Sequence, residues 1–228
     1  MEKEAITELK NKIKELEKIV KLQEAEIEKI SALSERDSLT ELYNRRGFIR
    51  EAEKFLAEVR VSIKIKQKRK IHFRDFSIIF IDIDKLKSIN DKLGHKAGDR
   101  TLKSAANLFK HSVRDLDIVA RWGGDEFIVG LAGADEETAF KTAEKLRKKI
   151  KIIKIDGESL TASFGVVSYH HKNITNRLSP EFSEKYKNKE KILGQLYELI
   201  EKADMTMYEA KKKKGSGSIV IYNNKSII

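Results

Sequence analysis

The sequence predicts an α/β chain of the α+β kind: a split βαβ, ferredoxin-like domain with a mostly antiparallel central sheet, preceded by one long coiled-coil helix. Three observations predict it. Apolar residues repeat in steps of three and four through the first 30 positions; the rest of the chain alternates between periods of two and about 3.6; and two short apolar runs meet across Gly123-Gly124-Asp125-Glu126, a hairpin signature. The expected division is a signalling helix over 1–36 and a globular domain over 37–228.

The first repeat runs through Ile6, Leu9, Ile13, Leu16, Val20, Gln23, Ile27 and Ile30, with Gln23 its one polar member. No glycine or proline interrupts it, so a helix is expected over 2–35. Ile or Val at one seam position with Leu at the other favours a parallel two-stranded coil; the alternative is a helix folded back on its own domain. The heptad fails at 37–48, where polar turn formers cluster. A second helix is then predicted over 45–64, an exposed basic loop up to Arg74, and a buried strand over 76–83 that ends in acidic residues. A helix over 99–111 leads to strands at 118–122 and 127–131, then a helix at 136–151, a strand at 160–167, a helix at 189–213 and a last strand at 218–222. This β-α-β-β-α-β order predicts one sheet with helices on one face. Residues 170–187 have no period and read as a loop insertion.

Composition narrows the function classes. The chain has 228 residues and is 40% hydrophobic, enough for one core plus an appendage. It has no cysteine, which excludes disulfides and thiolate metal sites. No run approaches the roughly 18 apolar residues of a membrane segment, and the N-terminus lacks the basic-then-apolar order of a secretory signal, so a cytoplasmic protein is expected. The net charge of +11 raises nucleic acid as a partner. Much of that charge sits in 64–70 and 211–214, however, and the aromatic and glycine spacing of a common RNA-binding module is absent. A solvated basic surface is the expectation, with no nucleic acid.

Two features carry chemistry. Asp82 and Asp84 stand two apart at a strand end, where alternation puts them on one side. Asp125 and Glu126 lie on a turn whose glycines let the backbone approach a ligand. Carboxylates gathered together repel, and a hard cation such as Mg²⁺, sharing its shell with phosphate, relieves the repulsion. A metal-held nucleotide site is one reading; the other is that Asp84 merely caps the next helix and the turn is only a turn.

The stretch Arg121-Trp122-Gly123-Gly124-Asp125-Glu126-Phe127 contains the G-G-D-E-F signature in full. Residues 80–99 resemble that family's pattern F-x-D-x-D-x-F-K-x-x-N-D-x-x-G-H-x-x-G-D, with Leu86 for the second Phe. Residues 37–46 resemble D-x-L-T-x-L-x-N-R-R, residues 160–166 a strand ending in S-x-G, and residues 203–211 A-D-x-A-L-Y-x-A-K. On these motifs the chain resembles the GGDEF family of diguanylate cyclases over about 37–222. The resemblance implies a nucleotidyl-cyclase-like fold and condensation of two GTP into cyclic di-GMP with release of two pyrophosphates.

Residue by residue, the resemblance implies Mg²⁺, with Mn²⁺ as the alternative ion, on Asp82, Asp125 and the backbone carbonyl of Ile83. It makes Asp125 the proton acceptor, with Glu126 a further catalytic carboxylate. It puts Asn90 and Asp99 at guanine, His95 on the substrate side, and Lys87 and Lys211 near the triphosphate. After Lys211 the family usually has a glycine and then Arg or Lys; here Lys213 or Lys214 would substitute. Arg114 and Asp117 stand at the spacing of an R-x-x-D inhibitory site for the product cyclic di-GMP. Each domain holds one GTP, so activity implies a homodimer, which the heptad helix would supply. The alternatives are a non-catalytic cyclic di-GMP or GTP receptor and a charge-driven nucleic-acid binder.

Overall fold

The computed structural model describes residues 2–33, 35–61, 74–170, 189–212 and 217–222. The basic stretch 64–70, the unpatterned 171–187, and Lys213 and Lys214 lie outside the described residues. The chain divides into two compact units, residues 1–36 and 37–228.

The first unit is helix α1 (Glu2–Leu33), 32 residues and about 48 Å long. Its seam residues Leu9, Ile13, Leu16 and Val20 are exposed, and so are Ile19 and Leu22 beside them. No helix among the described residues is long and apolar enough to cross a membrane.

The second unit runs α2 (Arg45–Val61), β1 (Asp75–Ile83), α3 (Leu86–Leu93), α4 (His95–Lys110), β2 (Ile118–Gly123), β3 (Glu126–Ala132), α5 (Glu136–Ile150), β4 (Lys154–Ile155), β5 (Glu158–Ser159), β6 (Ala162–His170), α6 (Lys189–Lys212) and β7 (Ile219–Ile221). The main sheet has the order β2-β3-β1-β6-β7; β4 and β5 form a separate hairpin. Pairings are antiparallel except β6 with β7, as the sequence predicts for a mostly antiparallel sheet.

Helices cover both faces of this sheet, not one. Every residue of β1 after Asp75 is buried, the mark of a strand without a wet face. Ile79, Ile81 and Ile83 pack with Phe127, Leu102, Phe109 and Leu146 on the α4–α5 side. Phe76, Ile78 and Phe80 pack with Phe48, Leu56, Leu196, Ala203 and Met207 on the α2–α6 side. The two-sided burial follows from the consecutive apolar residues Ile78, Ile79, Phe80 and Ile81, which point to both faces and which the β-α-β-β-α-β count alone does not capture.

Two further differences concern the segment after β1. Helix α3 lies between the strand predicted over 76–83 and the helix predicted over 99–111, and α4 begins at His95 rather than 99. Leu86, Ile89 and Leu93 already have helical spacing, with Leu86 buried and Ile89 packed against the core. Asp84 does not cap α3: Lys85 occupies the cap position with a left-handed φ of 61° and no side-chain cap bond. The chain thus leaves β1 through a sharp turn. Helix α5, by contrast, starts conventionally, with Asp135 accepting from the Thr138 N–H at 2.9 Å.

Candidate active site

The strand end and the hairpin come together because β1 and β3 are antiparallel neighbours with Asp82 opposite Glu126. The Ile83 N–H donates to the Asp125 carbonyl at 3.1 Å and fixes the tip of the hairpin against the end of β1. Gly124 and Asp125 make the turn, and a Cβ built at Gly123 or Gly124 meets nothing within 4 Å, so the space over the turn is open.

Asp82 is 3% exposed. Its Oδ2 accepts from Lys211 Nζ at 2.6 Å, whereas its Oδ1 is buried with no hydrogen-bond partner. Burial pushes its pKa up to about 6; the hydrogen bond from Lys211 opposes the rise, and the charges of Asp125 and Glu126 add to it. Glu126 is also raised, first by burial, then by the charges of Asp204 and Asp125, against Lys211 and Arg45. Lys211 is raised as well: burial disfavours its charge, but the bond to Asp82 and the nearby Asp125 and Asp84 outweigh it.

Such a set is short of positive charge. An orphaned buried carboxylate oxygen beside two further carboxylates fits a hard divalent cation. Among the described residues no three His, Cys, Asp or Glu side chains converge closely enough to hold a metal by themselves. A cation here would therefore complete its shell from backbone and ligand oxygens, as Mg²⁺ commonly does with phosphates.

Asp84 lies beyond the end of β1, so strand alternation no longer governs it. Its Oδ1 accepts from the Ser163 hydroxyl at 2.9 Å and its Oδ2 is buried without a partner. Ser163 belongs to the S-x-G sequence, whose glycine serves packing. A Cβ at Gly165 would stand 2.2 Å from the Ala203 carbonyl oxygen and 2.3 Å from the Met207 nitrogen, so α6 lies directly on β6. That contact brings Asp204 and Lys211, at the far end of α6, to the carboxylates.

The α3–α4 corner has the same logic. A Cβ at Gly98 would fall 1.9 Å from Asn90 Oδ1, so this glycine makes room for the asparagine, and that oxygen is buried and unpartnered. Asp99 follows Gly98 and is exposed. Lys87, in the first turn of α3, and His95, the first residue of α4, are exposed.

Arg114 and Asp117 line a separate cavity of about 250 Å³. Asp117 accepts from the Arg114 N–H of its own loop at 2.9 Å and from the Ala132 N–H at the end of β3 at 3.2 Å. Its pKa is nevertheless raised, by burial. Lys145, not foreseen from the sequence, lines the same cavity and donates to the Ser112 carbonyl at 2.7 Å. A larger cavity of about 570 Å³ opens between α3 and the β4–β5 hairpin; it reaches Asp84 but none of the other expected site residues.

Sequence reasoning also missed a clamp on the hairpin. The Arg121 guanidinium donates to the Gly124 carbonyl at 2.7 and 3.0 Å and to both oxygens of Asp37 at 3.2 Å. Asp37 in turn accepts from the Thr40 N–H at 2.8 Å and its hydroxyl at 2.7 Å. Arg45 lies over the Trp122 ring at 4.6 Å, and Phe48 and Phe80 meet that ring edge-on. The D-x-L-T and N-R-R sequences were visible as motifs, but nothing local announces their partner 84 positions away.

A fold with a central antiparallel sheet, a G-G-D-E-F hairpin at its end and an acidic strand beside it defines a class, and comparison with known proteins identifies it. The sequence profile described as diguanylate cyclase, GGDEF domain, matches residues 34–192, and the chain belongs to this family. Diguanylate cyclase A of Treponema denticola is 35% identical over 152 residues, which cover 65% of this chain and 35% of that protein. Diguanylate cyclase DosC of Escherichia coli K12 is 40% identical over 93 residues, 40% of this chain and 20% of its own. The chain thus spans about a third or less of the length of these curated relatives. Among solved structures, the GGDEF domain of TpbB (YfiN) from Pseudomonas aeruginosa aligns with a TM-score of 0.61 at 29% identity, over 82% of this chain and 94% of that one. The coiled coil and GGDEF domain of DgcB from Caulobacter crescentus, in complex with c-di-GMP, gives a TM-score of 0.66 over 94% and 99% of the two chains. At 20% identity that likeness is one of fold.

Proposed function

We propose that the chain is a diguanylate cyclase that joins two GTP into cyclic di-GMP and releases two pyrophosphates. One observation carries the reading: Asp82 keeps a buried, unpartnered oxygen beside Asp125 and Glu126 on an intact G-G-D-E-F turn. Asp82, Asp125 and the Ile83 carbonyl would hold Mg²⁺ or Mn²⁺. Bound there, such an ion would supply Lewis-acid chemistry, withdrawing charge from the α-phosphate and favouring ionisation of the attacking 3′-hydroxyl. Asp125 accepts the hydroxyl proton, and Glu126 keeps a second carboxylate at the same edge. Lys87 and Lys211 meet the triphosphate, where a flexible point charge suits phosphate. Asn90 and Asp99 read guanine: the carboxylate accepts from N1–H and the exocyclic amine, donors that adenine does not pair on that edge. His95 stands on the substrate side.

Each domain contributes one GTP to a product with two phosphodiester links, so two copies must face each other. The exposed heptad stripe of α1 supports a homodimer through that helix, which raises the effective concentration of one domain beside the other. Arg114 and Asp117, with Lys145 on the same cavity, form the product-inhibition site, a guanidinium fork for phosphate or guanine and a carboxylate for a guanine edge.

The test is incubation of the nucleotide-stripped chain with GTP and Mg²⁺ and product identification by mass spectrometry, with Asp125→Ala beside it. Cyclic di-GMP from wild type alone supports the cyclase. Tight dinucleotide binding without product replaces it with the non-catalytic receptor.

A further inference from the structure

The acidic site already contains one cation. Lys211 Nζ lies 2.6 Å from Asp82 Oδ2, and the lysine side chain remains 37% exposed while that of Asp82 is 5% exposed. Its charge acts on Asp125 and Asp84 as well as Asp82, and it is felt by Glu126 and Asp204. The ammonium therefore serves as counter-ion to the whole group of carboxylates, held in one place by a helix seated on Gly165.

The two oxygens of Asp82 are used unequally. Oδ2 carries the ammonium; Oδ1 is buried and has no partner. A dication on Oδ1 and an ammonium on Oδ2 would be bridged by one carboxylate and would repel across it. The half-exposed lysine is the partner free to leave, since its four-carbon stem reaches solvent from the last turn of α6. Its new partner must be an anion close by, and in the cyclase reading, on which this inference rests, the triphosphate is that anion.

We propose that Lys211 is the resident counter-ion of the metal site, holding Asp82 while the site is without nucleotide and releasing it to a divalent cation only as its ammonium turns to the triphosphate. Lys211 thereby couples the two loading events. The bare ion meets a competitor already seated, whereas an ion arriving with nucleotide brings the anion that draws the competitor away. By linkage, nucleotide then tightens metal binding and metal tightens nucleotide binding by the same factor.

The experiment measures Mn²⁺ binding to the full, nucleotide-free chain by electron paramagnetic resonance, with and without a non-hydrolysable GTP analogue. Wild type is compared with Lys211→Met and with Lys211→Gln, which keeps a polar group should the first not fold. Loss of a cation this close to a carboxylate is worth one to a few pKa units on a proton, so the neutral variants are expected to bind Mn²⁺ alone about tenfold more tightly than wild type. The analogue should then strengthen Mn²⁺ binding less in the variants than in wild type. Equal or weaker binding of the bare ion by both variants overturns the counter-ion role. If wild type takes up Mn²⁺ with the analogue in that case, the cyclase reading stands without it; if wild type takes up Mn²⁺ neither alone nor with the analogue, both readings fall.

Discussion

The contact between α6 and β6 supports a quantitative prediction at Gly165. In Gly165→Ala the new methyl would lie 2.2 Å from the Ala203 carbonyl oxygen, 2.3 Å from the Met207 nitrogen and 2.8 Å from its Cα. All three are backbone atoms, so no side-chain rotation relieves the clash, and the helix must retreat by roughly 1 Å to restore ordinary contact. Overpacking of this kind costs about 3 kcal/mol. For a domain of this size that corresponds to a Tm lowered by roughly 6–12 °C. Trp122 is the chain's one tryptophan and packs against the cluster that contains Ala203 and Met207, so its fluorescence reports the transition. Gly194→Ala on the same helix is the control, because a Cβ there meets nothing within 4 Å. It should gain up to about 1 kcal/mol from helix propensity. A Gly165→Ala protein that melts within a degree of wild type, or a Gly194→Ala protein equally damaged, would refute the packing argument.

Three more expectations follow from the site. Asp37→Ala removes the acceptor for Thr40 and Arg121 and should cost about 1–3 kcal/mol. Burial opposes the Asp37 charge, but the Thr40 hydrogen bonds and Arg121 lower its pKa. Its contribution is therefore full above the ordinary carboxylate value and fades below about pH 4, where thermal melts of the variant and wild type should converge; a gap that persists in acid would contradict this. Asp82, raised to about 6 chiefly by burial, has the opposite sign: its contribution is whole below about pH 4 and lost as pH rises through 6. Metal-free Asp82→Asn should thus be more stable than wild type at neutral pH by roughly 1–2 kcal/mol in urea titrations with chelator, and a less stable variant would count against the assignment. Arg114→Ala should keep a linear progress curve after wild type has begun to slow on its own product; simultaneous slowing would remove the inhibitory role from this cavity.

The sheet, its hairpin and most helices were legible because period and turn chemistry are local. Helix α3 has Leu86, Ile89 and Leu93 at helical spacing, but eight residues ended by Gly94 are too few for the period to stand out. The start of α4 lies at His95, four residues before the predicted 99, and Gly98 falls inside the helix, where its absent side chain is the space that Asn90 fills. The acidic residues at Asp82 and Asp125 were readable as a cluster. What the sequence does not display is pairing at a distance. Lys211, placed at phosphate by the resemblance, stands on Asp82, 129 positions away, and Arg121 on the edge strand β2 reaches Asp37, 84 positions away. The motifs that hold these residues do not name their partners, because each contact is made only when distant segments pack together.

That approach also sets a length. Ala203, Met207 and Ala210 form the buried seam of α6, and Lys211 is the next residue on. With Ala203 held against Gly165, the backbone of Lys211 is set about 12 Å further along the axis, eight residues at 1.5 Å each. The stretch between them is a ruler graduated in helical turns. Side chains on its outer face, such as Met205 and Tyr208, are open to exchange. Its count is not: one residue more or fewer would swing Lys211 by about 100° around the axis and leave Asp82 facing the wrong side of the helix.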